Sequence, residues 1–346
     1  MNYSTISLGI LLPFSMPQSY SMADYQNCFF MSHLASLAIQ EINARDDLLP
    51  NIRIDTSLID SWHQPRSHYD VSSNTSLYTS SGYAATAALK AVEKIDNLVA
   101  VYGGLWSDTT ESAASVLSQY KIPMCGDLQG SPALSNKNNY PYFFRIYSNA
   151  ATKVPQVMQL LLTHWKVTRV ALLVSKKEPY FSAAREMIRI LNLNGVSVLA
   201  VSSYDQGVDG ISESFLKVDA RYILSFVEGQ AFYQVYFNLP YLVGPKFVWI
   251  GMDTPYNAGT NLSTAEIDAV RGFILIAPKT ESSNSAPYSH LNASWHAYIS
   301  QLHLASSRAP TYLEIEMPVG AYDCIYTIAY GLDKVYNLFH VKILIP

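Results

Sequence analysis

The stretch that most restricts what this chain can fold into is residues 98–135, LVAVYGGLWSDTTESAASVLSQYKIPMCGDLQGSPALS. Leu98 to Tyr102 is a short apolar run of the kind a buried strand uses. It stops at Gly103-Gly104. Ser107, Asp108 and Thr109 then stand where a helix N-cap belongs, and Ala113, Val116, Leu117 and Tyr120 follow at helical spacing. A second strand, Ile122 to Cys125, runs into a polar loop, Gly126 to Ser131, that opens a further helix. Two successive strands emptying into small polar loops predict a parallel sheet. Such sheets bind ligands at the carboxyl ends of their strands, where helix N-termini offer N–H groups to anions. The stretch is therefore expected to form one wall of a ligand cleft.

The same alternation runs along most of the chain. Ile6 to Leu12 is a strand, and Phe30, Leu34, Leu37, Ala38 and Ile42 form the apolar stripe of a helix. Ile52 to Ile59 is a second strand ending at Asp60-Ser61-Trp62. Ser67 to Gly82, rich in Ser, Thr and Asn, reads as a surface excursion before the helix Ala84 to Val92. After an extended Tyr142 to Tyr147, the pattern restarts with a helix through Val154 and Trp165 and the strand Arg169 to Val174. A helix closed by Gly195 follows, then strands at Val196 to Val201, Tyr222 to Val227, Phe247 to Ile250 and Gly272 to Ala277. Two amphipathic helices come next, one carrying Leu291 to Leu302 and one Tyr322 to Val335, and Lys342 to Ile345 reads as one more strand. The expectation is an α/β protein of two lobes, each a mainly parallel sheet flanked by helices. Residues 1–147 make the first part of lobe one, 148–277 make lobe two, and 278–346 return to lobe one. The chain then stops before a last crossing between lobes.

Composition narrows the function classes. At 346 residues the chain exceeds one simple core. Only 14% of residues are charged and 25 are Tyr, a balance closer to extracellular proteins than to cytosolic enzymes. A net charge of −4 without a basic block gives nucleic acid no electrostatic footprint. Three cysteines exclude a disulfide framework and leave room for one bridge. Cys125 and Cys324 lie on apolar elements and read as buried thiols. Asn2, Asn74, Asn261 and Asn292 stand in glycosylation sequons. No segment approaches a membrane span, and Ile6 to Phe14 lacks the basic flank of a signal peptide, so the chain, beginning at its first strand, reads as an excised module or an incomplete gene model.

Catalytic patterns are missing. There is no GxSxG, GxxxxGK[ST], HExxH or GxGxxG, and His63 and His68 have no metal-binding partner at ligand spacing, so no cofactor or metal is expected. The candidate ligand-binding residues stand at strand ends: Trp62, Trp106, Ser107, Asp108, Gln129 and Gly130 in the first half, Tyr180, Glu228 and Asp253 in the second. Trp62 and Trp106 serve equally as packing or as a ligand platform. Glu228 reads either as a ligand contact or as a carboxylate at a helix N-terminus.

Eight segments appear in a telling order: ISLGILLPF, AIQEINA, the YGG…S turn, IP…SPALS, NNYPYFFRIYSNA, WIGMD, RGFILIAPK and AYDCIYTIAYGL. Together they resemble the receptor-family ligand-binding region of the type I periplasmic-binding-protein fold, over essentially the whole chain. This is the extracellular module of metabotropic glutamate and GABA receptors and of receptor guanylate cyclases. NNYPYFFRIYSNA resembles the metabotropic GABA branch most. The resemblance implies an extracellular clamshell, not an enzyme, that binds a small amino acid, amine or carboxylate and signals by closure. It also implies homo- or heterodimerisation through lobe one, and a membrane segment outside this chain. Ser107 matches the serine whose hydroxyl and neighbouring amides hold a ligand carboxylate. Tyr180 matches an aromatic residue closing from lobe two, and Asp253 an acid that accepts a ligand amine. Leu128 and Gly130 stand where α-amino-acid-binding members place small residues or hydroxyls, and Asp127 would repel a carboxylate unless a cation lay between. A free solute-binding protein serving a transporter is the alternative, and an α/β hydrolase a more distant one.

Overall fold

The computed structural model describes residues 4–16, 22–62, 81–146, 150–218, 220–239, 241–254, 262–276, 286–302 and 319–343. Residues 67–80 of the excursion expected over 67–82, His63, His68 and the sequons at Asn2, Asn74 and Asn261 lie outside them, and the excursion's last two residues, Ser81 and Gly82, already begin a helix. Contacts divide the chain into two units, one of residues 1–129, 133–147 and 280–346, the other of residues 130–132 and 148–279.

The first unit begins with β1 (Ser4–Leu12), α1 (Met22–Asn43), β2 (Ile52–Asp60), α2 (Ser81–Lys94) and β3 (Leu98–Gly103). It continues through α3 (Ser107–Gln119), β4 (Met124–Gly126) and β5 (Phe143–Arg145), and α9 (Ala286–Gln301) and α10 (Gly320–Ile343) return to it. Its five strands are all parallel, in the order β2-β1-β3-β4-β5. The period of two along a strand decides which layer each side chain joins. Leu8, Ile10 and Leu12 of β1, with Ala100 and Tyr102 of β3, enter the core shared with α1, α9 and α10. Leu11 and Val101 point the other way, into the core made with α2 and α3.

Helix α1 is buried beyond its expected stripe: Met31, Ala35 and Ile39 are covered as well as Phe30, Leu34 and Ile42. The reason is that α9 and α10 also pack on it, with Trp295 stacked on Phe30 at 5.4 Å between ring centres. Each such large side chain taken out of water contributes about 1.5–3 kcal/mol.

Two expectations are corrected here. Lys342 and Ile343 continue α10 rather than starting a strand, because the stripe of Ile325, Ile328, Ala329 and Leu332 that docks this helix carries its backbone on past Val335. Cys125 and Cys324 are buried as expected, yet they are not thiols: α10 lies along β4 and the two form a disulfide across 199 residues of sequence. Cys28 is the free cysteine, buried.

The second unit comprises α4 (Ala150–His164), β6 (Arg169–Val174), α5 (Tyr180–Leu193), β7 (Ser197–Ser203), α6 (Gly207–Leu216), β8 (Tyr222–Phe226), α7 (Gly229–Tyr236), β9 (Val248–Gly251), α8 (Thr264–Val270) and β10 (Ile274–Leu275). Its sheet, again all parallel, runs β10-β9-β8-β6-β7. Read from its first strand, this is the winding of the first unit repeated. One core joins Ala171, Leu173 and Ile223 to α6 and α7 around Phe232, Tyr236 and Trp249. Both sheets therefore carry helices on both faces, and each has a switch point where successive connections leave in opposite directions, between β1 and β3 in one unit and between β6 and β8 in the other.

Candidate functional site

In the first unit the switch point is built by glycine. Gly103 and Gly104 have φ of +134° and +86°, and a β-carbon on them would fall 2.2 Å from the Leu11 carbonyl oxygen and 1.9 Å from Thr110 Oγ1. Only glycine fits such a position. The turn lets the Gly104 N–H donate to the Leu11 carbonyl at 2.8 Å, locking the end of β3 to that of β1. The chain then enters α3 with Trp106 as N-cap and no side-chain capping bond. Ser107 is thus the first helical residue and not the cap expected for it. Thr109 and Thr110 hydroxyls donate back to the Trp106 carbonyl at 3.0 and 2.7 Å, and the Asp108 carboxylate accepts the Thr109 N–H at 2.8 Å. Ser107 is half-buried and Asp108 exposed at the positive end of α3.

Trp62 follows β2. Asp60 accepts its N–H at 2.9 Å and that of Ser15 at 3.3 Å, so this carboxylate ties the loop after β1 to the loop after β2. Trp62 and Trp106 both pack on the large core of this unit, as does Leu128.

After β4 the loop turns inward. Asp127 is 2% exposed and accepts the Tyr102 hydroxyl at 2.9 Å, while its Oδ1 has no hydrogen-bond partner. Burial pushes its pKa from the ordinary 3.8 up to about 7, against the opposing pull of the phenol and the amides of residues 127 and 128. The same burial, with the carboxylate beside it, raises that of Tyr102. Gln129, also buried, donates from Nε2 to the Gly104 carbonyl, and Arg145 donates to the Gln129 carbonyl and to Ser135 Oγ, the latter at 2.6 Å. Gln129 therefore braces the glycine turn. Gly130 groups with the second unit, and a β-carbon there would stand 2.9 Å from Pro179.

The second unit gathers its three predicted residues into one network at the carboxyl ends of β6, β8 and β9. Asp253 accepts the Tyr180 hydroxyl at 2.8 Å and the Gly229 N–H at 2.9 Å on Oδ2, and the Thr254 N–H at 2.8 Å on Oδ1. Tyr180 opens α5, and Gly229 opens α7 behind its N-cap Glu228. Lys177 Nζ lies 3.0 Å from Glu228 Oε1. Burial raises the pKa of Asp253 and neighbouring Glu228 raises it further, while the phenol and both amides pull it down. Glu228 and Asp253 against Lys177 leave this rim with a negative balance. Lys177, Tyr102, Asp60 and Arg145 are the members of these networks that sequence reasoning missed. Tyr102 was open to detection, since on an alternating strand it shares a face with Ala100 and stands next to the Gly-Gly turn.

Among the described residues no group of three or more His, Cys, Asp or Glu could hold a metal ion, and no helix is long and apolar enough to cross a membrane.

Two doubly wound parallel sheets, each with polar side chains collected at its carboxyl edge, define a two-lobed ligand-binding fold of the periplasmic-binding-protein type. Residues 33–340 match the receptor family ligand binding region, and the chain belongs to that family. It is 24% identical over 321 residues to gamma-aminobutyric acid type B receptor subunit 1 of Mus musculus and to that of Rattus norvegicus, covering 86% of this chain and 30% of each relative. It is 24% identical over 188 residues to the subunit of the same name from Caenorhabditis elegans, covering 54% of this chain and 19% of that protein. The chain thus spans less than a third of the length of these curated relatives.

Proposed function

We propose that this receptor ligand-binding module takes a small polar solute carrying both an anionic and a cationic group, holds it between its two lobes, and signals by closing on it. The family match over residues 33–340 carries the reading. The two rims support the choice of solute. Ser107 and the amino end of α3 would suit a carboxylate, with Trp106 and Asp108 on either side of Ser107 in the chain and Trp62 contributing from the end of β2. Gln129 and Gly130 would shape the wall rather than supply charge. Asp253 and Glu228 suit an ammonium group, with Tyr180 beside them. Gamma-aminobutyric acid, for which the relatives are named, has this chemistry. As part of the same proposal the module stands on the extracellular side of a membrane receptor and pairs with a second subunit through its first lobe, a reading supported by the words receptor and subunit in the relatives' names.

The test is thermal unfolding of the protein against zwitterionic amino acids of differing length, amines and small carboxylates. A ligand at about 100 times its Kd adds about 2.7 kcal/mol of stability. The expected result is a melting shift for a zwitterion that Ser107→Ala and Tyr180→Ala each abolish. A shift that survives both substitutions, or one given only by a simple amine or a simple carboxylate, overturns the reading.

A further inference from the structure

The amino edge of the second unit's sheet, opposite the edge that carries Tyr180 and Asp253, holds a cavity of about 180 Å³. Trp165, Lys166, Arg169, Arg221 and Tyr222 line it. The topology explains the gathering. Helix α4 runs back along the sheet and ends at His164, so Trp165 and Lys166 arrive beside the first residue of β6, Arg169. Because β8 pairs with β6 in register, Val170 opposite Tyr222, Arg221 stands next to Arg169 on the neighbouring strand. The Trp165 and Tyr222 rings lie 6.2 Å apart and tilted by 32°. Three cations and two aromatic rings thus share one small hollow in a chain whose net charge is −4.

Lys166 and Arg221 are exposed, and neither enters an ion pair among the described residues. Elsewhere in this unit five cations are paired, Lys176 with Asp205, Lys177 with Glu228, Arg189 with Glu186, Lys217 with Glu213 and Arg271 with Asp268, while Lys153, Arg185 and Lys246 enter no ion pair among the described residues. At the hollow, Lys166 and Arg221 come together without that compensation.

We propose that this hollow is a binding site for a small aromatic oxyanion, a phosphate- or sulfate-bearing ring. The guanidinium of Arg221, with its fork of N–H donors, and the ammonium of Lys166 would hold the oxygens, with Arg169 adding to the field. Trp165 and Tyr222, packed on each other, would together offer the ring an apolar surface. The volume is well below the roughly 300–1,000 Å³ of drug-sized pockets, which limits the occupant to one ring and its charged group. The length of β6, six residues at about 3.3 Å each, separates the hollow from the ligand rim, so the two sites are chemically and spatially distinct.

Calorimetric titration of the whole chain with phenyl phosphate, inorganic phosphate and phenol tests this. Phenyl phosphate should bind at least about tenfold more tightly than either of its halves, since charge-assisted bonds and ring contact act together. Arg221→Ala and Lys166→Ala, both surface changes, should each weaken it about tenfold, and Trp165→Ala should reduce the preference for the ring while leaving phosphate affinity in place. Raising the salt should weaken binding. Tyr180→Phe should leave it unchanged, so that failure here and failure of the proposed solute site are read separately. Inorganic phosphate binding as tightly as phenyl phosphate, equal binding by wild type and Arg221→Ala, or no heat with any probe overturns the proposal.

Discussion

The two units wind their strands alike, and the fourth strand of each is followed closely by an aspartate that accepts a tyrosine hydroxyl. Their surroundings part there. Asp127, just after β4, is buried with one bond from Tyr102 and a partnerless Oδ1. Asp253, just after β9, collects the Tyr180 phenol and two backbone N–H groups. Burial raises the pKa of both and nearby donors oppose it at both, but only at Asp253 do two backbone N–H groups bond the carboxylate within 2.9 Å. One strand-end acid is thus enclosed with a single direct bond, the other is held by three donors at the rim. The first unit is also stapled by Cys125–Cys324, and no disulfide joins described residues of the second. The covalent staple lies in one unit and the multiply bonded acid in the other.

The largest expected effect breaks that asymmetry directly. Cys324→Ser opens a closure of 199 residues and should cost the first unit about 3–5 kcal/mol. Calorimetry should show a transition moving down while that of the second unit stays; a single transition shifted as a whole would mean that the units do not unfold independently. Next come the glycines. Gly104→Ala places a methyl on Thr110 at a positive φ and should cost about 3 kcal/mol, whereas Gly195→Ala, with φ +70° and open space around it, should cost about 1 kcal/mol. Urea titration of the two variants reads the difference, and equal losses would show that the strained φ, not the close approach to α3, is what the first unit cannot accommodate.

Much of this architecture was legible because its signals are local. The apolar alternation of Leu8 to Leu12, the stripe of α1 and the Gly-Gly stop after Tyr102 each announce their element. The rim residues Tyr180, Glu228 and Asp253 were legible as strand-end positions, yet their mutual bonding was not, since three loops spaced over 73 residues meet only once the sheet order is set. The disulfide escaped for the same reason: nothing near Cys125 or Cys324 says that α10 returns to lie along β4. The cap at Ser107 was misplaced by one residue because Thr109 and Thr110 turn their hydroxyls back to the Trp106 carbonyl and start the helix without a serine.

A pH series sharpens the contrast between the acids. With its folded pKa raised from 3.8 to about 7, Asp127 holds its proton more tightly in the folded state. Its contribution is therefore greatest below pH 3.8, falls as pH rises toward 7 and is level above. Asp127→Asn keeps an acceptor for Tyr102 and removes the titration. The variant should be more stable than wild type at pH 8, by about 2 kcal/mol, and show no such gain at pH 4. Loss of stability at pH 8 on making Asp127→Asn would mean that the buried carboxylate is ionised and paired.

The smallest effect separates donors from burial. Tyr102→Phe takes from Asp127 the single side-chain bond it has, and Tyr180→Phe takes from Asp253 one donor of three. Each should cost about 1 kcal/mol of stability, the usual net value of one hydrogen bond. The pKa of both acids should rise, because a bond to the charged form is lost. If donors set the difference between the rims, carboxyl titration by NMR will find the larger rise at Asp127, since Asp253 keeps the amides of Gly229 and Thr254. Equal rises would assign the contrast between the two acids to burial alone.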